Sequence, residues 1–288
     1  MGKIAVVTDS NSGISQAEAV GVRVHVLPMP FTMDGEEFFE DINLTQSVFY
    51  EKLLNETEIS TSQPSPKAVT ELWDRLLQTH DEIVHIPMSS GLSAACGTAS
   101  AMAMDYNGRV QVVDNLRISV TLRQSALDAV AMADGGQTAA QIKEYLENVK
   151  LDTSIYIVLD TLKYLKKGGR ITAAGAALGT ILNVKPVLQL QGGKLDAYAK
   201  VRGLKQARTA ILEAIRKDMN GRFAAFANPA HMYLKVAYTY NQDAAEDFRQ
   251  EAEAAFPGYD IDISPLPLSV SCHIGPGALA MTCMRKLD

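Results

Sequence analysis

The first apolar block of the chain, Ile4-Ala5-Val6-Val7, is unbroken and runs into Thr8-Asp9-Ser10. That is the pattern of a strand buried on both faces, with polar side chains at its carboxyl end. A helical pattern over residues 15–20 and a second strand over 22–28 follow, so the chain opens strand, helix, strand. Helices are predicted over 49–54 and over 66–79, the second amphipathic with Pro66 near its start. A strand over 83–86, a helix over 94–106, a strand over 110–113 and helices over 122–133 and 138–151 complete the first half. Strands alternating with helices of this length predict a parallel sheet covered on both faces, which takes ligands at the carboxyl ends of its strands. Asp9, Ser89 and Asp114 lie at such ends.

The pattern changes after a strand over 154–159. Leu165-Lys166-Lys167-Gly168-Gly169-Arg170 reads as a compact basic turn, and a small-residue helix is predicted over 171–182. Strand-like pieces follow near 187–190, 195–200 and 236–240, interrupted by helices over 203–218 and 244–256, with a turn at Gly192-Gly193. The expected fold class is α/β: an N-terminal parallel sheet sandwiched by helices over 1–150, and a C-terminal α+β domain with an antiparallel or mixed sheet over 151–288.

Composition narrows the function classes. With 288 residues and 47% hydrophobic content, the chain can bury a substantial core. A net charge of −6 argues against a broad phosphate-tracking surface, so nucleic acid is not an expected partner. Met1-Gly2-Lys3 leads straight into a strand pattern, and no apolar stretch is long enough to span a bilayer, so a cytoplasmic location is expected. Cys96, Cys272 and Cys283 lack a C-x-x-C spacing, which predicts neither a disulfide framework nor a zinc site. His25, His80, His85 and His231 have no ligand spacing and read as structural or solvated, so no metal is expected.

Two hydroxyl-rich segments carry the candidate chemistry: Thr61-Ser62-Gln63-Pro64-Ser65-Pro66 and Ser89-Ser90-Gly91-Leu92-Ser93. A strand that delivers a Ser/Gly loop into a helix start presents hydroxyls together with unpaired N–H groups, which suits an anionic head group such as a carboxylate or phosphate. Hydroxyls donate to a carboxylate without placing a permanent charge beside an apolar tail. A purely local reading also accounts for these residues: Thr61 capping a turn and Ser93 capping the helix that begins at Ala94.

These segments, taken with Thr8-Asp9-Ser10, Asp34-Gly35 through Asp41, Phe49-Tyr50-Glu51-Lys52-Leu53, Leu165 through Ile171, Lys185-Pro186-Val187-Leu188 and His273-Ile274-Gly275-Pro276-Gly277-Ala278, resemble the ordered motifs of the DegV family almost end to end. The resemblance implies a two-domain lipid-binding protein that is not itself an enzyme. Such a protein holds one long-chain fatty acid, palmitate for example, between its domains. As the FakB-type members do, it presents the acyl carboxyl to a separate fatty acid kinase, in lipid transport or fatty acid metabolism. No cofactor besides the fatty acid ligand is implied. The sequence departs from the family after Ser93, where Ala94-Ala95-Cys96 stands in place of a frequent Gly-Thr-aromatic, which bears on the acyl chain preferred.

The resemblance assigns the carboxyl to Thr61 and Ser93, with Ser62 supplying an N–H or hydroxyl, and it places His273 and Gly277 beside the head group. Lys166, Lys167 and Arg170 read either as a solvated loop with a charge-complemented helix end or as a docking surface for an acidic partner or the kinase's phosphate donor, a surface that Arg202 joins by the resemblance. The small-residue run from Ala173 to Gly179, continued by Ile181 and Leu182, reads either as room for an alkyl chain or as a close-packing helix. Roughly fourteen buried methylenes at about 0.8 kcal/mol each gain about 11 kcal/mol before ordering costs, so the tail dominates affinity. A serine hydrolase acting on acyl esters through Ser93 and His273, with Asp9 or Asp114 as orienter, is the alternative. Against it, Gly91-Leu92-Ser93-Ala94-Ala95 lacks the last glycine of a nucleophile elbow. A nucleotide-binding enzyme is weaker still, because no glycine-rich phosphate motif follows the strands.

Overall fold

In the computed structural model, which describes residues 2–177 and 184–287, the chain forms two units. One comprises residues 1–150 with 267–269, and the other residues 151–266 with 270–288. The first contains β1 (Ile4–Asp9), α1 (Gln16–Val22), β2 (Val24–Leu27), β3 (Pro30–Met33), β4 (Glu36–Phe39), α2 (Gln46–Leu54), β5 (Ile59–Thr61) and α3 (Pro66–Leu76). It continues with β6 (Glu82–Ile86), α4 (Ala95–Ala103), β7 (Val110–Val112), α5 (Val120–Asp134) and α6 (Ala139–Asn148).

The main sheet of this unit has the order β2-β1-β6-β7, and every pair is parallel. Its strands are apolar on both sides because helices cover both. Ala5, Val7, Ile83, Val110 and Val112 pack with Trp73, Leu76 and Ala99 of α3 and α4, while α5 and α6 lie on β1, β6 and β7. The helices start where local chemistry favours it. Ser65 caps α3 by accepting from the Ala68 N–H with Pro66 at the first turn, and Thr138 and Gln141 close a reciprocal capping box on α6.

The strand order reverses between β1 and β6, which opens a crevice at their carboxyl ends. The same unit contains a small antiparallel sheet, β4-β3-β5, that the hydrophobic pattern does not predict. Its strands are only three or four residues long and β4 begins with two exposed glutamates, so no apolar run announces them. The local signal is the two-residue turn Asp34-Gly35, both at positive φ (52° and 84°), as a tight hairpin requires.

The second unit holds β8 (Thr153–Val158), α7 (Lys163–Gly168), α8 (Ala173–Ala177), β9 (Val184–Leu190), β10 (Asp196–Arg202), α9 (Gly203–Asn220), β11 (Met232–Tyr238), α10 (Gln242–Ala255), β12 (Ile261–Pro265), α11 (Leu268–Ile274) and β13 (Leu279–Arg285). The first two residues of α11 group with the first unit. The sheet is mixed, in the order β10-β9-β8-β13-β11-β12, antiparallel throughout except for β11 with β12. Ile211, Ile215 and Phe248 of α9 and α10 pack on Val187, Val236 and Met281. Each fully buried side chain of that size is worth about 1.5–3 kcal/mol.

Three segments here differ from the sequence pattern. The basic stretch read as a turn is a short helix, α7, whose last turn carries Lys166 and Lys167 and which ends at Gly169 in the left-handed conformation (φ 68°). β13 occupies the middle of the sheet, although Ala280, Met281 and Cys283 have weak strand preference; burial on both faces overrides that preference. Of the predicted small-residue helix, residues 173–177 are helical, and Leu178, Gly179, Ile181 and Leu182 lie outside the described residues.

Candidate functional site

Asp9 organises the crevice of the first unit. It is fully buried, and its carboxylate accepts from the Met88 N–H (2.8 Å), the Asn11 N–H (3.0 Å) and Asn11 Nδ2 (2.8 Å). Burial pushes its pKa up, against the pull of those bonds. Thr8 Oγ1 donates to the Ile86 carbonyl at 2.8 Å, so the ends of β1 and β6 are tied together twice. The three bonds to Asp9 come from its own loop and from the chain just past β6, which is how a positioning residue behaves and not how the orienter of a catalytic histidine does.

The Ser89–Ser93 loop corrects one expectation. Its N–H groups are engaged internally: Ser89 donates to the Arg117 carbonyl, Ser90 to Asp114 Oδ1, Gly91 to Ser89 Oγ, and both Leu92 and Ser93 to the Ser89 carbonyl. A tight turn closes on Ser89 and uses the donors that would have faced an anion. The hydroxyl of Ser93 remains. Its Oγ accepts from the Ala95 N–H at 3.2 Å, although the N-cap of α4 is Ala94, without a side-chain cap bond, and its half-buried hydroxyl still carries a proton to donate.

Thr61 ends β5 opposite Phe31 of β3. The Ser62 N–H donates to the Pro30 carbonyl at 3.1 Å, so a ligand can be met by the exposed Ser62 hydroxyl but not by that N–H. Gln63 Oε1 accepts from Thr98 Oγ1 of α4 at 3.3 Å, which pins the Thr61–Pro66 segment against the helix that Ser93 leads into. Beside these residues lies a narrow crevice, open in part to solvent. Gln63, Pro64, Ala95, Ala99, Met102 and Leu27 supply most of its wall.

In the second unit the structure brings His273 to the basic segment. A side chain at Gly168 would place its Cβ 2.5 Å from His273 Nδ1, so glycine there admits the imidazole against α7. Burial, assisted by the Arg170 charge, lowers the His273 pKa to about 4, which keeps the ring neutral at pH 7. Gly277, at φ 79°, passes so close to Asp160 that a Cβ would overlap its carboxylate. Lys166 and Lys167 are exposed and Arg170 is half-buried. Arg202 is exposed at the far end of β10, whose near end adjoins Arg170 through the Leu195 N–H to Arg170 carbonyl bond. Six strand steps separate those ends by about 20 Å.

His85, read as structural or solvated, is 3% exposed and so structural. A half-buried carboxylate escaped the sequence reading. Glu40 follows the unpredicted hairpin and accepts from the Leu268 N–H at 2.9 Å, and burial pushes its carboxyl up to about 8. The three thiols are buried, with Cys96 and Cys272 pushed up to about 11 by burial. Among the described residues no cluster of three metal-ligating side chains occurs, and no helix is long and apolar enough to cross a membrane.

A parallel α/β unit with a crevice at its switch point and a mixed-sheet α+β unit define the class. The model of the DegV family, a family described as uncharacterised, matches residues 3–286, and the chain belongs to that family. A DegV domain-containing protein of Deinococcus radiodurans is 30% identical over 279 residues, covering 96% of this chain and 97% of the relative. A Thermus thermophilus DegV family protein whose structure is described as fatty acid binding superposes with a TM-score of 0.88 at 30% identity, covering 98% of this chain and 99% of that one. DegV of Bacillus subtilis, described as a fatty acid binding protein, gives 0.85 at 27% identity, with 99% and 100% covered.

Proposed function

We propose that the protein binds one long-chain fatty acid, holds its carboxyl with Thr61, Ser93 and the Ser62 hydroxyl, and presents that carboxyl to a separate kinase. The observation that carries this reading is the end-to-end similarity, at 30% and 27% identity, to two structures described as fatty acid binding. The Ser93 hydroxyl supports it, since its oxygen is fixed by the Ala95 N–H while its proton can be donated to a carboxylate. His273 and Gly277 join the head-group set in this reading. His273, neutral at pH 7, would act as a hydrogen-bonding group for the carboxyl and not as a counter-charge. Lys166, Lys167, Arg170 and Arg202 are assigned to docking of the kinase, and the protein itself performs no acyl chemistry. A cytoplasmic location completes the reading.

Extraction of the denatured, purified protein followed by mass spectrometry tests the reading. About one fatty acid per chain is expected. Polar metabolites alone, together with no binding of added palmitate or oleate, would refute it. Turnover of acyl esters abolished by Ser93→Ala would establish the hydrolase instead.

A further inference from the structure

One polar side chain in the crevice of the first unit is left without a partner. The wall includes four polar side chains: Asp9, Gln63, Thr98 and His85. Asp9 is engaged by Met88 and Asn11, and Gln63 and Thr98 bond to each other. His85 Nδ1 is buried and has no hydrogen-bond partner among the described residues. The ring cannot turn away to find one. His85 sits in the middle of the sheet, opposite Val7 on one side and Val112 on the other, and packs edge-on against Trp73 with centroids 5.5 Å apart. An unsatisfied buried nitrogen is costly, and an unsubstituted alkyl chain beside it would leave it so.

We propose that the crevice takes an acyl chain carrying a hydroxyl near its carboxyl end, and that His85 recognises that hydroxyl. This rests on the fatty-acid reading of the same site. The position follows from the wall: Gln63 and Pro64 lie two and three residues beyond Thr61, and Ala95 two beyond Ser93, so the wall that His85 shares adjoins the proposed carboxyl contacts. The functional group follows from the histidine. A neutral imidazole nitrogen is a donor in one tautomer and an acceptor in the other, and a hydroxyl answers both, whereas a keto oxygen answers only one. The remaining wall, from Leu27, Val69, Ala99 and Met102, is apolar and suits the methylenes beyond.

Calorimetric titration of the delipidated full-length protein with palmitate, 3-hydroxypalmitate and 16-hydroxypalmitate tests this. The 3-hydroxy acid should bind roughly five- to tenfold more tightly than palmitate, the worth of one added hydrogen bond. The 16-hydroxy isomer should gain nothing. His85→Phe, which keeps an aromatic ring against Trp73 and removes the nitrogen, should erase the preference, bringing the affinities for palmitate and the 3-hydroxy acid together. Equal binding of palmitate and the 3-hydroxy acid by the wild-type protein overturns the proposal and leaves the fatty-acid reading standing, as does an equal gain from the 16-hydroxy isomer. A preference that survives in His85→Phe also overturns it. Binding of none of the three acids removes both readings. If His85→Phe does not fold, the comparison of the two positional isomers on the wild-type protein decides alone.

Discussion

Ser93 and Asp9 show how differently two polar residues at one strand-end crevice are used. The Ser93 hydroxyl both caps Ala95 and can donate outward, so Ser93→Ala removes a bond worth about 1 kcal/mol to a neutral group, or about 1.5–3 to a carboxylate. We expect fatty acid affinity to fall roughly tenfold to a hundredfold by titration and, on the proposed reading, acyl phosphate formation with a kinase to fall further, because carboxyl placement matters more to phosphorylation than to retention. Asp9 accepts three hydrogen bonds in full burial. Asp9→Ala leaves those donors facing an empty site and should cost about 3 kcal/mol or more, read as a lowered urea midpoint at unchanged slope. A substitution that weakens lipid binding and leaves the midpoint alone would make Asp9 a ligand contact instead.

The start of α11 makes a prediction with a definite sign in pH. Glu40 holds the Leu268 N–H and has its carboxyl pushed up to about 8 from 4.5 by burial. The folded chain therefore keeps a proton between about pH 4.5 and 8 that the unfolded chain has lost, and this group's contribution to stability falls as pH rises through that window. Glu40→Gln keeps an acceptor for Leu268 and cannot ionise. Its urea midpoint should match the wild type near pH 5 and exceed it increasingly up to pH 8; parallel profiles would show that Glu40 ionises normally. On α7, Gly168 is the sensitive position, since any Cβ meets the His273 ring. Gly168→Val should displace His273 and reduce acyl phosphate formation, while Lys166→Ala on the exposed side of the same helix should leave the melting temperature within about 1 °C.

Charge is distributed unevenly over the molecule. Residues 34–58 carry eight acids and one base, while residues 163–217 carry twelve bases and two acids, so a chain of net −6 contains a long cationic stretch. Surface charge of this kind acts mainly on encounter rates, and salt screens it over about 8–10 Å at physiological strength. On the proposed reading, phosphorylation of the bound fatty acid by the kinase should therefore slow as salt is raised, and Lys166→Glu with Lys167→Glu should slow it at low salt while flattening the salt dependence. Palmitate affinity should not change. A wild-type rate independent of salt would remove these lysines from the docking surface.

The parallel sheet, its helices and the hydroxyl loops at its strand ends were legible along the chain, because apolar periodicity and Ser/Pro punctuation are local properties of the covalent sequence. So was the order of motifs that marks the family. Partnership was not legible. The Ser89–Ser93 loop has the composition of an anion-binding turn, yet its N–H groups bond inward to Ser89, Arg117 and Asp114. Arg117 and Asp114 are more than twenty residues away, so no local pattern reports them. The same holds for β13, whose weak strand formers are strands because both flanking positions in the sheet are filled, and for Glu40, whose partner Leu268 is 228 residues distant. His85 is the clearest instance. A histidine within Ile83-Val84-His85-Ile86 announces burial, but whether burial leaves its nitrogen satisfied or waiting for a ligand depends on what Trp73, Gln63 and Thr98 place around it, which is settled only when the chain has folded.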